Sequence, residues 1–388
     1  MPAKSFEADV KPKVLQWARE TIGLSPIEAA KKFKVAEDTL NKWESGQKKP
    51  TIIQLKKLAT VYKRPLAAFF LPEPPKEPSL PKDYRTLPQN EKKPFSPKTR
   101  VAIRRARRLQ SLASELARNL NRKIGSEIER VRLSDDPEVI AAEIREKLGI
   151  EIQAQFGWKN EIEAISEWKK AIEKLGILVF HIGAPLEETR GFSLIDSEPR
   201  VIVLNLQDTI NGRIFSLFHE YGHLLLNDSG ICDMGDQDRL PENDKVVEKF
   251  CNHFAGAILV PKEALINHKL LSPIKYHPEW SDEVLRDLAR RFKVSKEVIL
   301  RRMVILGYAD IDFYKKMREK WLKATFKRRG GGGRNPPKEC VQKNGTPFIS
   351  LVIESQRKEK ITYSDVADYL EVRLKYLPKI EQFIEGKI

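Results

Sequence analysis

The sequence is poor in cysteine, with only three among its 388 residues. So few cysteines cannot form a disulfide framework, which excludes the small disulfide-stabilised secreted domains and favours a reducing cytoplasm. Long apolar runs are also missing, since Leu66–Leu71 and Ile177–Phe180 fall far short of the roughly 20 residues that span a membrane. The polar start, Met1–Glu7, lacks the apolar core of a secretory leader. We therefore expect a cytoplasmic protein without a membrane partner.

Histidine is scarce as well, yet two of the six histidines frame a glutamate in the stretch His219–His223, which reads H-E-x-x-H. On a helix, residues four positions apart lie on one face, so both imidazoles can bind one metal ion. Glu220 beside them can act as general base toward water. Apolar residues at helical spacing from Ile214 to Leu225 support such a helix. The pattern predicts a zinc peptidase site, and a pair of packed or surface histidines is the competing interpretation.

A catalytic zinc site needs a third protein ligand and an open fourth position. The sequence that follows predicts a second helix, which ends before Pro261. Glu248 and Asn252 share one face of it, which favours Glu248 as the third ligand and Asn252 as an amide that orients a histidine ligand. His253 and Glu242 are the competing third ligands.

A cysteine close to the motif is a candidate inhibitory ligand. Cys232 follows His223 by nine positions and lies in a loop flanked by glycines. A thiolate there would fill the fourth position on zinc and keep the enzyme latent, because thiolates bind zinc strongly. The competing interpretation is a small buried apolar side chain.

These motifs resemble the ImmA/IrrE family of bacterial and phage metallopeptidases. The matching stretches are Gly212–His223, Glu248-x-x-x-Asn252-x-Phe254-Ala255, Leu259–Pro261, Leu288–Ser295 and Arg301–Met303. The resemblance implies His219, His223 and Glu248 as zinc ligands and Glu220 as catalytic base. The sequence does not distinguish zinc from manganese. It also implies a helix-turn-helix transcriptional repressor as substrate, cut during stress or the induction of a mobile element.

The N-terminal 70 residues predict four or five short helices, with a capping box at Ser25–Glu28. Thr39–Pro50 resembles the Cro/C1-type helix-turn-helix family of phage repressors. That resemblance implies binding of double-stranded DNA. The candidate contact residues are Asn41, Lys42, Gln47 and Lys48. Docking of a related repressor is the competing role, because Glu37 and Asp38 would face the phosphates of a DNA groove.

The formal net charge of +16 is unevenly distributed. Residues 126–310 are net negative, whereas the segments on both sides are net positive. A basic helix is predicted from about Pro97 to Arg122. Its candidate polyanion contacts are Arg104, Arg105, Arg107 and Arg108. Single-stranded DNA bound there would be an activator, and a solvated surface that promotes solubility is the alternative.

The predicted fold class is multidomain and mainly α, with an α+β zincin-like metallopeptidase core and an all-α helix-turn-helix domain at the N-terminus. We predict a helix-turn-helix domain at 1–70, a proline-rich linker at 71–96, a peptidase domain with a basic leading helix at 97–310, and a basic helical region with a glycine-rich loop at 311–388. Strands are expected at Ile177–Phe180, Phe192–Leu194 and Val201–Leu204. The predicted function is a zinc endopeptidase that cleaves a repressor. The alternative is a DNA-binding regulator whose metal site is structural or vestigial.

Overall fold

The computed structural model describes residues 6–83, 94–125, 128–228, 230–232, 241–271, 277–323 and 335–386. The chain forms two units, one of residues 1–80 with 91–105, the other of residues 81–90 with 106–388. The first unit is all helical, and the second combines helices with one small sheet, so the predicted fold class is confirmed. Among the described helices, none is both long and apolar enough to cross a bilayer. The glycine-rich loop at 330–333 lies outside the described residues.

The first unit is a bundle of short amphipathic helices. They are α1 (Pro12–Ile22), α2 (Pro26–Phe33), α3 (Glu37–Glu44), α4 (Ile52–Tyr62) and a 3₁₀ turn (Leu66–Phe70), and α5 (Pro97–Asn119) starts in this unit and ends in the second. The capping box predicted at Ser25 is confirmed, and Thr51 forms another at the start of α4. Leu40 and Trp43 of α3 are buried in one core with Leu55 of α4. The four α-helices α1–α4 therefore form because each places an apolar face inward, and side-chain caps start α2 and α4.

The second unit contains the remaining helices and all the described strands. The helices are α6 (Pro137–Lys147), α7 (Ile152–Gly157), α8 (Glu161–Lys174), α9 (Ile210–Leu225), α10 (Glu242–Leu259), α11 (Lys262–Ile266), α12 (Asp282–Phe292), α13 (Lys296–Ile305), α14 (Ile311–Lys323), α15 (Pro336–Asn344), α16 (Thr346–Arg357), α17 (Tyr363–Leu370) and α18 (Leu377–Ile384). The strands are β1 (Lys82–Asp83), β2 (Leu178–Ile182), β3 (Gly191–Leu194), β4 (Val201–Asn205) and β5 (Gly230–Cys232). This unit continues past residue 310, where the sequence suggested a domain boundary, and it includes β1 from the proline-rich segment.

The sheet has the strand order β1-β5-β3-β4-β2. Strand β2 is parallel to β4, β3 is antiparallel to both β4 and β5, and β1 is parallel to β5. Strands β2, β3 and β4 are buried at every residue, in keeping with their mostly apolar sequence; their polar residues are His181, Ser193 and Asn205. The three predicted strands are thus confirmed. Both sides of β3 are paired, so β3 is not an open edge in this structure.

Helix α9 lies at the centre of the second unit, in contact with α8, α10, β3 and β4. The C-terminal helices pack on the far end of the same sheet, where the Phe348 ring meets the Phe180 ring edge-on at 5.4 Å between centroids. Lys169 of α8 also donates a hydrogen bond to the carbonyl oxygen of Gln342 at 2.8 Å. Residues 335–386 therefore complete the burial of the sheet that supports α9.

Candidate metal centre

The H-E-x-x-H residues lie on α9, which is buried along most of its length. Thr209 caps the helix by accepting a hydrogen bond from the backbone N–H of Gly212, and every residue from Arg213 to Leu225 is buried. His219 and His223 are four residues apart, so both imidazoles lie on the same face of this helix. The predicted helix is confirmed, and its apolar neighbours hold two histidines and a glutamate out of water.

Glu248 reaches this face from α10. Its carboxylate oxygens lie 3.2 Å from His223 Nε2 and 3.5 Å from His219 Nε2, and the two Nε2 atoms are 3.3 Å apart. One donor atom from each residue falls within 4.8 Å of the others. Two imidazole nitrogens and one carboxylate oxygen that converge in a buried site form a donor set that suits a catalytic zinc ion. The three side chains therefore fit a metal ion.

The ionisable groups of this cluster strongly affect each other. Burial acts to raise the pKa of Glu248, but the adjacent His219 and His223 outweigh it and hold that pKa well below its usual range. Burial acts to lower the pKa of His219, and the Glu248 carboxylate outweighs it, so that pKa is raised. Burial raises the pKa of Glu220 to about 7. Glu248 is therefore the ionised member, which is the form that binds a cation.

Glu220 lies next to the cluster and against strand β3. Its Oε2 atom is buried and has no hydrogen-bond partner within the described part of the chain. A Cβ atom at Gly191 would lie 3.3 Å from the Cγ of Glu220 and 3.0 Å from the carbonyl oxygen of Val203. Glycine at position 191 therefore leaves space beside a carboxylate that can exchange a proton with a bound molecule.

The two competing third ligands lie elsewhere. His253 Nε2 is 2.6 Å from Glu138 Oε1, a carboxylate that also pairs with the buried Arg302. Glu242 is exposed at the start of α10, where it pairs with Lys245. Neither belongs to the cluster. His253 follows Asn252 directly in α10, and consecutive residues of a helix point about 100° apart. Its imidazole therefore points away from the face that carries Glu248 and toward Glu138.

Asn252 does not make the contact that we expected of it. The side chain is buried, but its Oδ1 atom has no hydrogen-bond partner in the described residues. His219 Nδ1 is likewise buried without one. The expectation that the Asn252 amide orients a histidine ligand is therefore not met in this structure.

Cys232 is described only by its backbone, which pairs with Gly191 in the β3–β5 ladder. Its side chain lies outside the described residues, so its role as inhibitory ligand stays a prediction. A different cysteine, Cys251, is buried where α9 and α10 meet, and a Cβ at Gly222 would lie 3.2 Å from its Sγ atom. Sequence reasoning missed this close approach, although a glycine inside a helix is a signal for one.

The candidate DNA-contact residues are exposed on the first unit. They are Asn41 and Lys42 on α3, with Gln47 and Lys48 in the turn that follows. Lys42 is engaged by Asp38 at 2.5 Å. The face is open to solvent and carries both signs of charge.

The candidate polyanion contacts on α5 are largely held by the protein itself. Arg104 donates to the carbonyl oxygen of Lys63 at 3.0 Å, within the first unit. In the second unit, Arg107 pairs with Asp196 at 3.1 Å and Arg108 with Asp368 at 2.7 Å. The Arg108 pair is mostly exposed, so it competes only weakly with another anion.

Comparison with known proteins finds that two segments of the chain match family models. Residues 172–304 match the model of the M78 peptidases, described as the IrrE N-terminal-like domain, and residues 15–69 match a helix-turn-helix model. The chain is 35% identical over 102 residues to the radiation response metalloprotease IrrE of Deinococcus deserti, which covers 26% of this chain and 34% of that protein. It therefore spans about a third of the length of this relative.

A solved structure, a Mycobacterium tuberculosis transcriptional regulator, covers 50% of this chain and 51% of its own at 14% identity. Its TM-score of 0.29 is too low to indicate a shared fold. The resemblance to ImmA/IrrE peptidases and to helix-turn-helix proteins is confirmed by the two family models. The residues of the candidate metal centre thus lie in a segment that matches the IrrE N-terminal-like domain of the M78 peptidases, and residues 15–69 of the same chain match the helix-turn-helix family.

Proposed function

We propose that the protein is a zinc-dependent endopeptidase that cleaves a helix-turn-helix transcriptional repressor in a switch linked to stress or to a mobile element. The observation that supports this most directly is the buried convergence of His219, His223 and Glu248, with Glu220 beside them. A site that served only structure would have no use for a further buried carboxylate in the same helical turn.

The proposed roles follow from the positions of the side chains. His219 Nε2, His223 Nε2 and a carboxylate oxygen of Glu248 would hold the metal, with manganese as an alternative to zinc. The chemistry that the metal supplies when bound is Lewis-acid polarisation of the scissile carbonyl. Glu220 would take a proton on a carboxylate oxygen from the attacking water and deliver it to the nitrogen of the leaving amine.

The substrate class is proposed from the family and from the first unit. The helix-turn-helix match suggests that this unit either binds double-stranded DNA or docks a related repressor, through the exposed residues Asn41, Lys42, Gln47 and Lys48. Single-stranded DNA is the proposed activator. Arg108 is the α5 residue best placed to test it, because its pair with Asp368 is mostly exposed to solvent.

The testing experiment compares the wild type with Glu220→Gln after the metal content of each has been measured. Each protein is mixed with helix-turn-helix repressors encoded near its gene, with and without single-stranded DNA. We expect wild type to cut one of them, and Glu220→Gln to keep its metal but cut at least about a hundredfold more slowly. Glu242→Gln, an exposed change on α10, is the matched control.

The second candidate function is a DNA-binding regulator with a structural or vestigial metal site, favoured by the helix-turn-helix match alone. It predicts bound metal, sequence-specific DNA binding and no cleavage of any repressor under either condition. Cleavage that depends on metal and on Glu220 would exclude it.

A further inference from the structure

A small cavity lined by arginines lies one helical turn before the metal ligands on α9. We call it the arginine pocket, and it is formed by Arg190, Asn211, Phe215, Glu297, Arg301 and Arg318 with a few neighbours. These residues come from the loop before β3, the start of α9, and helices α13 and α14. Its volume is about 60 Å³, enough for a group of a few heavy atoms but not for a large side chain.

The pocket has more positive than negative charge. Arg190 pairs with Asp208 at 2.9 Å, and Arg318 pairs with Glu297 at 3.2 Å. Arg301 donates to the hydroxyl of Tyr314 at 2.8 Å and lies 3.8 Å from Glu297. The residues that line the pocket thus include three arginines and one carboxylate, Glu297. Guanidinium groups bind carboxylates through charge-assisted hydrogen bonds, so this lining favours an anionic ligand.

The pocket adjoins the metal centre through one aromatic ring. The Phe215 ring, which lines the pocket, is nearly parallel to the His219 imidazole, with 6.3 Å between centroids. The guanidinium carbon of Arg301 lies 5.9 Å from the centre of the Phe215 ring. The arginine pocket is thus separated from the metal centre by about the thickness of one side chain. A peptide with its cleaved bond at the metal centre could place the side chain of a neighbouring residue in the pocket.

A buried acceptor in the pocket points to a ligand that carries a donor. The Oδ1 atom of Asn211 is buried and lacks a hydrogen-bond partner among the residues that the structure describes. Such atoms usually have a partner in folded proteins. A peptide can supply one through a backbone N–H.

We propose that the arginine pocket binds the carboxylate side chain of an aspartate or glutamate next to the bond that is cut. This inference rests on the proposed function, because it assigns the pocket to the same peptide substrate. It makes the enzyme selective for a repressor segment with an acidic residue at one fixed position relative to the cleaved bond. None of the three arginines lies on α9 or α10, the helices that carry the proposed metal ligands.

The first test uses the full chain loaded with zinc and a mixture of synthetic peptides with random sequence and amidated C-termini. Products are mapped by mass spectrometry. We expect aspartate and glutamate to be enriched at one position beside the cut. A matched pair of peptides that differ only in Glu against Gln at that position should differ about tenfold or more in kcat/KM. Cleavage without a preference for acidic residues would refute the proposed role of the arginine pocket, but it would be consistent with the proposed function.

The variant Arg318→Gln identifies the pocket as the source of that preference. We expect the Glu-to-Gln ratio of kcat/KM to fall at least about fivefold, since one of the three guanidinium groups that line the pocket is removed. A loss of folding or of metal would lower both rates together and leave their ratio unchanged, which would count against the proposal. Arg290→Gln, which changes a 75% exposed arginine on α12, is the matched control and should keep the ratio.

A free C-terminal carboxylate is the other source of the same chemistry. Peptides with free C-termini are therefore run beside the amidated ones. If the acidic preference disappears in the amidated set and the cut falls next to the last residue, the pocket binds the C-terminal carboxylate of the substrate peptide. The proposal that it binds an acidic side chain would then be wrong.

A binding test separates this inference from the proposed function. Zinc-loaded Glu220→Gln is titrated with N-acetyl-glutamate amide and with N-acetyl-glutamine amide, and binding is followed by ligand-observed NMR. We expect binding of the glutamate compound only, weakened by Arg318→Gln. This result would support the pocket even if no peptide were ever cut. Equal binding of both compounds, or none, would overturn it.

Discussion

Glu248 and the two histidines show what a single residue contributes to this site. The spacing of His219 and His223 is local, so the sequence alone could place both imidazoles on one helical face. The choice of Glu248 over Glu242 rested on the helical face that it shares with Asn252. In the structure Glu248 is buried at the histidines, whereas Glu242 is 77% exposed in its side chain.

The first prediction tests the third ligand directly. Glu248→Gln replaces a carboxylate oxygen by a neutral amide, so we expect zinc affinity to fall by more than about a hundredfold, beyond the loss typical of residues that only orient a ligand. Competition with a chromophoric chelator measures this. Glu242→Gln should bind zinc as the wild type does. Equal losses in both variants would show that Glu248 is not a ligand.

Contacts between residues far apart in the sequence cannot be predicted from local sequence patterns, and the partner of His253 is an example. His253 was a candidate ligand because it stands near Glu248 in the helix. Its actual partner, Glu138, is 115 positions away and also pairs with Arg302, which is fully buried. No local pattern announces that carboxylate, because its position depends on how α6 packs on α10.

The second prediction concerns the pH dependence of this network. Burial acts to raise the pKa of Glu138, but His253 and Arg302 outweigh it and lower that pKa from 4.5 to about 2. A lowered pKa means that the carboxylate stabilises the fold fully above about pH 4.5 and progressively less as the pH falls toward 2. Glu138→Gln should therefore lower the free energy of unfolding by about 3 kcal/mol at pH 7, because it leaves a buried guanidinium without its counter-charge.

Denaturant unfolding at pH 7, 5 and 3.5 measures this effect. The difference from wild type should be the same at pH 7 and pH 5 and smaller at pH 3.5, and any loss of metal common to both proteins cancels in the difference. Glu143→Gln, an exposed change on the same helix, should show no difference at any pH. A difference that grows on acidification would contradict the assignment.

At the scale of elements, the metal centre depends on how closely α9 approaches α10. Gly222 faces Cys251 across that contact, and a Cβ at position 222 would lie 3.3 Å from the Cα of Cys251. Backbone cannot move aside as a long side chain can. Two of the proposed ligands lie on α9 and one on α10, so the spacing of the two helices sets the spacing of these side chains.

The third prediction is that Gly222→Ala separates these helices. We expect it to lower the free energy of unfolding by about 1–3 kcal/mol through overpacking, and to weaken zinc binding about tenfold. Thermal unfolding of the apoprotein and a chelator competition measure the two effects. The matched control is Gly157→Ala at an exposed helical position with open space around it, which should be neutral or slightly stabilising. Wild-type affinity in Gly222→Ala would contradict the inference.

The positions of the strands could be predicted from the local sequence, but their order in the sheet could not. The apolar runs that became β2, β3 and β4 were visible in the sequence. The order of the strands in the sheet was not visible. Strand β5 pairs with β3 although β4 and α9 lie between them in the sequence, and β1, which precedes α5 in the sequence, pairs with β5. The pairing of short strands is decided by packing on α9, which no single segment encodes.

Among the described residues, a hydrophobic core lies in each of the two units. The candidate metal centre lies in the second unit. Ligands that bind the folded state stabilise the unit that binds them.

The fourth prediction is that calorimetry resolves two transitions. Removal of metal by a chelator should lower the temperature of one transition only. Leu40→Ala, which removes a buried side chain of the first unit, should destabilise that unit by about 2–5 kcal/mol and lower the other transition. If chelation and Leu40→Ala moved the same transition, the two cores would not be separate cooperative units.

Strand β1 gives the sheet an unusual boundary. It consists of Lys82 and Asp83, immediately after the segment that leaves the first unit, and it pairs with Gly230 and Ile231 of β5. Lys82 is also tied to Asp244 of α10 at 2.8 Å. The segment that enters the second unit therefore also forms the edge of its sheet. Amide hydrogen exchange at Gly230 and Ile231 should be slow while β1 is paired and faster when β1 detaches from β5.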